Sequence, residues 1–356
     1  MKIAAISDLH FHNWKDYSKI EDGVNTRFNE IKKTVVEAYN VAKLNRCDFM
    51  CVSGDVFHVR GTLKTSVLNN VVDLFARLSV EIPTIMITGN HDMESYRYDE
   101  FGSAIRSIRG KNIYIVDGVV NAIYSVYKEE YIKVGGIQYH HNIDEFKEKF
   151  EEMLQSTNPE IVMIHQGIDD FRPSLTVPET KLTASYFKSV FDKYDKRPYI
   201  LCGHYHKPGR LDSIINVGAP LQHTFGGAGQ ERGMFIVDLS SDSVTFNPLN
   251  VSPKFYVLDE KKLKDIDDLD SFLKSNYVKI KTSSMKALEK IAKKHTDVDI
   301  ASLRIEIEKE FKGSYDVSIG ISGVEEMLNQ YLKDVLLLDE SRIESLLKTY
   351  NRVVYR

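Results

Sequence analysis

The sequence predicts an α/β fold in which two mixed β-sheets lie between layers of helices. Short apolar runs alternate with amphipathic helical segments up to about residue 250, and a β-rich stretch interrupts this alternation. The runs contain many β-branched residues, which is typical of buried strands. They cover residues 3–6, 49–52, 85–87, 161–164 and 199–201. Polar side chains follow each run, and an open α/β sheet places its active site at the carboxyl ends of its strands.

Four segments have the apolar spacing of amphipathic helices. They cover residues 25–45, 64–78, 99–109 and 143–155. Residues 112–138 hold several β-rich segments that predict hairpins, and more strands follow His206. Two sheets flanked by helices fit this order better than one parallel sheet of simple βαβ repeats.

Changes in pattern along the chain predict three domains, over residues 1–250, 251–315 and 316–356. Pro248 and Pro253 bracket the first boundary. Beyond it, the sequence predicts a small α+β unit with a β-α-β order. Its lysines form either a solvated helix face or a contact for a phosphate backbone.

The last segment predicts two amphipathic helices. Each opens with a capping box, formed by Ser322 with Glu325 and by Ser341 with Glu344. The apolar faces of these helices must pack on each other, on the main body or on another protein.

Composition indicates a soluble globular protein, since 42% of the residues are hydrophobic and 28% are charged. No run approaches the roughly 18–20 apolar residues that a membrane helix needs. The amino terminus begins a strand rather than a signal peptide. Cys47, Cys51 and Cys202 lie in or beside apolar segments, which favours reduced, packed thiols in a cytosolic protein.

The formal net charge of −4 counts against a nucleic-acid binder, which usually has a strong basic excess. Any affinity for phosphate must therefore come from bound metal ions and local basic patches.

Seven side chains at the ends of the predicted strands form a candidate metal site. Their ligand atoms are carboxylate oxygen, amide oxygen and imidazole nitrogen, which suit divalent metals. The seven residues are Asp8, His10, Asp55, Asn90, His165, His204 and His206. Alternate residues share a face of an extended strand. We therefore expect Asp8 and His10 to point to the same side, and His204 and His206 likewise. The Asp55 carboxylate has two oxygens and is able to bridge two metals.

The chain contains the motifs D-x-H, G-D, G-N-H-D, H and G-H-x-H in this order, at residues 8–10, 54–55, 89–92, 165 and 203–206. Together they resemble the metallophosphoesterase superfamily over roughly residues 1–240. Residues 54–60 (GDVFHVR), 203–208 (GHYHKP) and 217–239 resemble its SbcD branch of DNA-repair nucleases. The resemblance implies the four-layer calcineurin-like phosphoesterase fold, followed by a capping domain over residues 251–315. It also implies two divalent metal ions, with manganese as the expected metal.

The resemblance further implies a role for each site residue. One metal takes Asp8, His10, Asp55 and His206, and the other takes Asp55, Asn90, His165 and His204. His91 is the expected catalytic histidine beside the scissile phosphate. His58 is expected to position the phosphate or the DNA strand.

Several residues near the motifs have two open interpretations. His12 is either a further ligand or a solvent-facing or phosphate-contacting residue, and a Phe-His pair stands where the branch often has Leu-Gly. His140 and His141 are interpreted as structural or surface residues. His223 contacts substrate or simply packs, and Trp14 and Tyr17 stack on DNA bases or anchor their loop. Residues 225–227 lack the acidic residue often found there in relatives.

The leading functional hypothesis is a metal-dependent DNA exonuclease or endonuclease of bacterial or phage origin, located in the bacterial or phage-infected host cytosol. It would work with an SbcC-like coiled-coil ATPase that binds the C-terminal helices. The resemblance also implies a homodimer within a heterotetramer. The alternative is a phosphoesterase acting on small phosphodiesters or phosphoproteins, although His58 stands where protein phosphatases have an acidic residue. A third interpretation, a non-catalytic scaffold, has no support because no ligand is missing.

Overall fold

Two six-stranded sheets and their helices form the main body of the protein. We describe it from a computed structural model, which describes residues 1–95, 102–116, 123–127, 130–173, 182–282 and 303–307. Side chains are described for these residues except 123–127, 130–131, 282 and 303–307. The predicted helix near residues 284–295 and the two predicted C-terminal helices lie outside the described residues.

The first sheet is mixed. In spatial order its strands are β14 (Ser243–Pro248), β13 (Gly233–Asp238), β1 (Lys2–Ile6), β4 (Phe49–Val52), β5 (Thr84–Ile87) and β6 (Ile113–Val116). Strands β1, β4, β5 and β6 run parallel, and β13 and β14 complete the sheet in antiparallel pairing beside β1.

The second sheet is also mixed. In spatial order its strands are β11 (Gly209–Leu211), β12 (Ile214–Asn216), β10 (Tyr199–Gly203), β9 (Ile161–His165), β8 (Glu130–Ile137) and β7 (Ile123–Tyr127). Strands β8, β9, β10 and β12 are parallel, with β7 and β11 antiparallel at the two edges. A further two-stranded ribbon joins β2 (Ile20–Glu21) and β3 (Val24–Asn25).

Helices cover the outer faces of both sheets. The first sheet carries α1 (Thr26–Leu44) and α2 (Thr65–Leu78), and the second carries α3 (Ile143–Thr157) and α4 (Ala184–Tyr194). Side-chain caps begin three of these helices: Asn25 accepts from the Phe28 amide, Asn142 from the Asp144 amide and Thr183 from the Tyr186 amide. None of the described helices is long and apolar enough to cross a membrane.

Alternation along each strand divides the buried side chains between three cores. On β1, Ile3 and Ala5 face the second sheet, whereas Ala4 and Ile6 face α1 and α2. The central core joins the inner faces of the two sheets, and the outer cores join each sheet to its helices. The order of layers is therefore helix, sheet, sheet, helix, as the sequence predicted.

A small parallel sheet follows the main body. It contains β15 (Phe255–Asp259), β16 (Tyr277–Thr282) and β17 (Leu303–Ile307), with α5 (Leu269–Ser275) between the first two strands. Leu263, Leu273, Val278 and Ile280 form its own core. The predicted division into three domains stays a prediction.

Most predicted elements are present close to their expected bounds. The predicted helix over residues 99–109 is wrong in its described part, where only a 3₁₀ turn, Ala104–Ser107, is found. Gly102 precedes this turn at φ +80°, a backbone conformation that glycine adopts readily and a helix does not contain. The first of the predicted hairpin segments, β6, instead pairs in parallel with β5, while β7 and β8 do form a hairpin. Helix α4 was not predicted.

Candidate metal centre

All seven predicted ligands meet where the carboxyl ends of the two sheets come together. Asp8 and His10 follow β1, Asp55 follows β4, and Asn90 follows β5, so the first sheet supplies four of them. The second sheet supplies the rest: His165 ends β9, and His204 and His206 follow β10. Because parallel neighbours end at the same edge, residues separated by two hundred positions become neighbours.

The first group of ligand atoms gathers around His10. Its Nε2 lies 3.1 Å from Nε2 of His206 and 3.8 Å from Oδ2 of Asp55. Asp8, His10 and His206 each direct a ligand atom into a space in which all three atoms lie within 4.8 Å of one another. His10 and Asp8 are buried, with 3% and 0% of their surfaces exposed.

The second group gathers around Asn90. Its Oδ1 lies 3.1 Å from Nε2 of His165 and 3.1 Å from Nδ1 of His204. Oδ2 of Asp55 lies 3.3 Å from the same His165 nitrogen. One carboxylate oxygen of Asp55, Oδ2, therefore faces both groups. The sequence analysis considered a bridge through two oxygens, and that this carboxylate bridges two metals stays a prediction.

Tight backbone turns aim these side chains. Asp8, His10, Asp55 and His204 all have positive φ angles, of 53°, 50°, 52° and 109°. Such conformations are uncommon for residues with a side chain and cluster at functional sites. Backbone bonds fix the turns: the Asp8 amide donates to the Gly54 carbonyl at 3.1 Å, and the His10 amide donates to the Asp55 carbonyl at 3.0 Å.

Hydrogen bonds also fix which ring nitrogen of His165 faces the ligand cluster. Its Nδ1 lies 2.7 Å from the Ser53 carbonyl oxygen, which can only accept, so Nδ1 carries the proton and Nε2 points into the cluster. Oδ1 of Asp55 accepts the His91 amide at 2.8 Å, which leaves Oδ2 for the two ligand groups.

Charges in the cluster are strongly coupled. Burial alone would raise the pKa of Asp55, but the charge and hydrogen bond of His165 hold it well below its usual range. Burial alone would lower the pKa of His165, but Asp55 raises it to about 9. Burial lowers the pKa of His10 far below 6.5, so that ring is neutral and able to bind a cation.

His91 and His58 stand beside the first group. Their rings are stacked, with centroids 5.4 Å apart and planes 9° apart. Nδ1 of His91 donates to the His58 carbonyl at 2.6 Å, and Nδ1 of His58 lies 3.3 Å from Nδ1 of His10. Trp14 covers His58 with a centroid distance of 4.2 Å.

The donor set fits two divalent cations. Ring nitrogens and carboxylate or amide oxygens converge in pairs closer than 4 Å, with a carboxylate oxygen shared between the two groups. No cysteine enters the cluster among the described residues, because Cys47, Cys51 and Cys202 are buried free thiols in the cores. Nitrogen and oxygen ligands of this kind are compatible with manganese.

Three further residues that the sequence analysis discussed have different surroundings. His12 is half-buried near the site, with its ring 5.5 Å from that of His58. Tyr17 packs edge-on against Phe225 and Phe255, so it anchors its loop. His140 lies outside the ligand cluster, where its ring bonds to the Gln138 carbonyl and to Lys149.

The sequence analysis assigned no role to Asp92, although it belongs to the G-N-H-D motif. Oδ1 of Asp92 accepts the Phe57 amide at 2.8 Å, and Oδ2 accepts the Gly89 amide at 2.9 Å. The carboxylate thus ties the loop after β4 to the loop after β5. Burial and the nearby Asp55 charge raise the pKa of Asp92 to about 7, while these two amides oppose the shift.

Residues 1–208 match the family model described as calcineurin-like phosphoesterase. The chain belongs to this family. The match confirms the resemblance to metallophosphoesterases and the fold that it implied. Phosphoesterases hydrolyse phosphate esters, and all seven candidate ligands lie within the matched residues.

Two similar family members are nuclease or DNA-repair proteins by name. The SbcD component of the nuclease SbcCD from Staphylococcus saprophyticus is 27% identical over 270 residues, which cover 68% of this chain and 69% of that protein. The DNA double-strand break repair protein Mre11 from Sulfolobus acidocaldarius is 22% identical over 297 residues, covering 79% and 71%. Among solved structures, a dimetal phosphatase from Danio rerio has a TM-score of 0.46 at 10% identity, covering 70% of this chain and 96% of that one.

Proposed function

We propose that this chain is a two-metal-dependent DNA nuclease that hydrolyses phosphodiester bonds. The observation that carries the proposal is the convergence of seven ligand side chains into two groups around a shared oxygen of Asp55. DNA as the substrate is supported by the likeness of residues 54–60 and 203–208 to the SbcD branch. The similarity to a component of the SbcCD nuclease and to Mre11 supports the same substrate.

The proposed ligand sets follow the two groups. Asp8, His10, Asp55 and His206 would hold one metal, and Asp55, Asn90, His165 and His204 the other, with manganese as the proposed metal. When bound, such ions lower the pKa of water and neutralise charge on the phosphate. With Nε2 of His10 directed at a metal, its Nδ1–H would donate to Nδ1 of His58.

His91 would act as the proton donor to the leaving sugar oxygen. Its Nδ1–H is engaged by the His58 carbonyl, so Nε2 is the atom available to substrate. His58 would position the phosphate or the DNA strand while its backbone orients His91. The contact of the Trp14 ring with His58, tilted by 33°, would hold the His58 ring in place.

The test is to assay the purified chain with Mn²⁺ on linear duplex DNA and on a chromogenic phosphodiester. We expect cleavage of DNA that disappears on chelation and in an Asp55→Asn variant, because the amide removes the negative charge of the shared ligand. A His140→Gln variant, altered outside the cluster, is the matched control and should cut normally. Hydrolysis of the small ester alone would contradict the proposal.

That outcome would favour the alternative, a phosphoesterase for small phosphodiesters or phosphoproteins. The acidic net charge of −4 is the observation in its favour, because an acidic surface repels a DNA backbone. Two bound divalent ions would offset that formal charge, and the nuclease proposal needs them to do so.

We also propose that the chain works with an SbcC-like coiled-coil ATPase in the cytoplasm, as a homodimer within a heterotetramer. The support is the capped amphipathic pattern of residues 322–356 and the similarity to a protein that is itself named as one part of a larger nuclease. The apolar faces of the two predicted C-terminal helices would dock in a groove of the ATPase.

A further inference from the structure

His223 is a buried histidine beside the metal centre to which the proposed mechanism gives no role. It follows β12 in the loop that leads to β13, and only 6% of its surface is exposed. Its ring lies against two members of the first ligand group. The centroid distances are 5.2 Å to His10 and 5.5 Å to His206.

Among the described residues, the ring makes one hydrogen bond, and its partner lies in the turn that carries Asp8 and His10. Nε2 of His223 lies 2.9 Å from the carbonyl oxygen of Asp8. A carbonyl only accepts, so Nε2 carries the proton and donates. The acceptor belongs to the turn in which both Asp8 and His10 hold left-handed φ angles. A strained turn persists only where its surroundings fix it.

Resting on the proposed metal assignment, we propose that His223 is a positioning residue for the first metal site. By holding the Asp8 carbonyl, it keeps the carboxylate of Asp8 and the ring of His10 aimed at the same point. Its ring contacts with ligand residues lie on that group. In the second group, the ring of His165 is held by the bond from Nδ1 to the Ser53 carbonyl, and, among the described residues of that group, only the backbone amide of His204 bonds to Asp8, at 3.1 Å from its Oδ1. Loss of the His223 ring should therefore weaken metal binding at the first site more than at the second.

Simple packing does not account for a histidine at this position. Its second ring nitrogen, Nδ1, is buried and has no hydrogen-bond partner among the described residues. A buried unpaired polar atom is destabilising, and an aliphatic side chain would fill the same space without it.

The loop that carries His223 is itself held by contacts with Arg27 and Trp14. Nη2 of Arg27, in α1, donates to the carbonyls of Gln222 at 3.0 Å and His223 at 3.5 Å. Arg27 is 1% exposed and lies over the rings of Phe255 and Tyr277 in the small sheet.

The indole of Trp14 stacks on the ring of His223, with a centroid distance of 6.0 Å. Because these contacts fix the ring of His223, the ring is able to hold the turn of Asp8 and His10 in one conformation.

The test compares His223→Leu with His223→Gln by calorimetric titration of the full chain with Mn²⁺. Glutamine offers an Nε2–H in place of the imidazole one, and leucine offers none. We expect two binding events in the wild-type chain. In His223→Leu one event should weaken about 10- to 100-fold and the other should stay within twofold, because supporting groups of metal ligands carry effects of this size. His223→Gln should recover most of the loss.

Equal weakening of both events, together with a lower melting temperature, would indicate a merely structural residue and overturn the proposal. So would unchanged affinities in His223→Leu, or a glutamine variant no better than the leucine one. If His223→Leu does not fold, His223→Asn replaces it, since the shorter amide does not reach the Asp8 carbonyl. A wild-type chain that binds no Mn²⁺ would instead refute the metal assignment itself. Quenching of Trp14, the chain's single tryptophan, gives a second readout next to the first site.

Discussion

At the scale of single residues, the position of His91 separates metal binding from proton transfer. Its ring is fixed by the bond from Nδ1 to the His58 carbonyl at 2.6 Å and by stacking on the His58 ring. Its amide, rather than its ring, contacts the proposed bridging ligand Asp55. The ring should therefore be dispensable for holding metals and necessary for cutting.

We expect His91→Asn to retain both Mn²⁺ sites and to lose cleavage about 10²- to 10⁴-fold in kcat, the usual contribution of a general acid. Asparagine keeps an N–H near the position of Nδ1 but places no proton donor at the position of Nε2. Calorimetry and a single-turnover cleavage assay measure the two effects separately. Undiminished cutting would contradict the role of His91, and lost metal binding would mean that the ring is a ligand. His141→Asn, outside the described metal groups, serves as the matched control.

At this scale the sequence was enough to identify residues that meet in one cluster, because each follows an apolar run within a short motif. It did not predict the residues that hold them. Asp92 belongs to the G-N-H-D motif, but the neighbouring sequence does not show that its carboxylate accepts two amides from different loops. His223 meets Asp8 across 215 positions, and Arg27 meets the Gln222 carbonyl across 195. Such bonds arise from tertiary packing, for which neither periodicity nor spacing gives a signal.

At the scale of elements, Gly203 lies where the two sheets approach each other closely at the site. It ends β10, and a methyl group there would overlap the Ser53 carbonyl and the Ser7 hydroxyl. The same methyl group would lie 2.7 Å from Nδ1 of His165. Ser7 and Ser53 follow β1 and β4 of the first sheet, so the absent side chain lets ligands from both sheets share one site.

We expect Gly203→Ala to weaken Mn²⁺ binding at least tenfold and to lower stability by about 1–3 kcal/mol, as is usual for overpacking. The inserted methyl group must push β10 away from the ends of β1 and β4, and His204 and His206 would move with it. Metal titration and thermal melting check the two parts. Gly226→Ala is the matched control, because that exposed glycine has room for a methyl group. Wild-type metal affinity in Gly203→Ala would show that the close approach does not position the ligands.

Helices were predictable where their apolar periodicity was long, and strands were predictable where polar residues marked both ends of an apolar run. Helix α4 was missed although Thr183 caps it and Phe187, Val190 and Phe191 have helical spacing. Its eleven residues form a short segment, and short apolar runs do not distinguish a helix from a strand. The 3₁₀ turn over Ala104–Ser107 shows the converse, because a short apolar pattern there suggested a full helix.

At the scale of the whole molecule, the strand-end rule explains why distant motifs form one site. Two sheets that pack face to face bring the carboxyl ends of β1, β4 and β5 against those of β9 and β10. The layer order was predictable from the alternation of elements and from the family resemblance. The distances among the ligands were not, because they depend on how closely the two sheets pack.

The last prediction concerns the proposed ATPase partner. Residues 322–356 have an apolar stripe that includes Leu328 and Leu332, and both the main body and a partner could cover it. Deletion of residues 322–356 should abolish binding to an SbcC-like ATPase and leave Mn²⁺ affinity unchanged, since all seven proposed ligands lie before residue 207. The double substitution of Leu328 and Leu332 by glutamate should reproduce the loss, because charge on the apolar stripe opposes burial in a groove. Gln330→Glu, between the two leucines on the polar side of the pattern, adds charge without altering the stripe and should bind normally.

Co-purification with the ATPase and calorimetry with Mn²⁺ measure the two properties. Tight binding by the deleted chain would place the interface elsewhere, and loss of metal binding with it would show that the stripe packs on the main body.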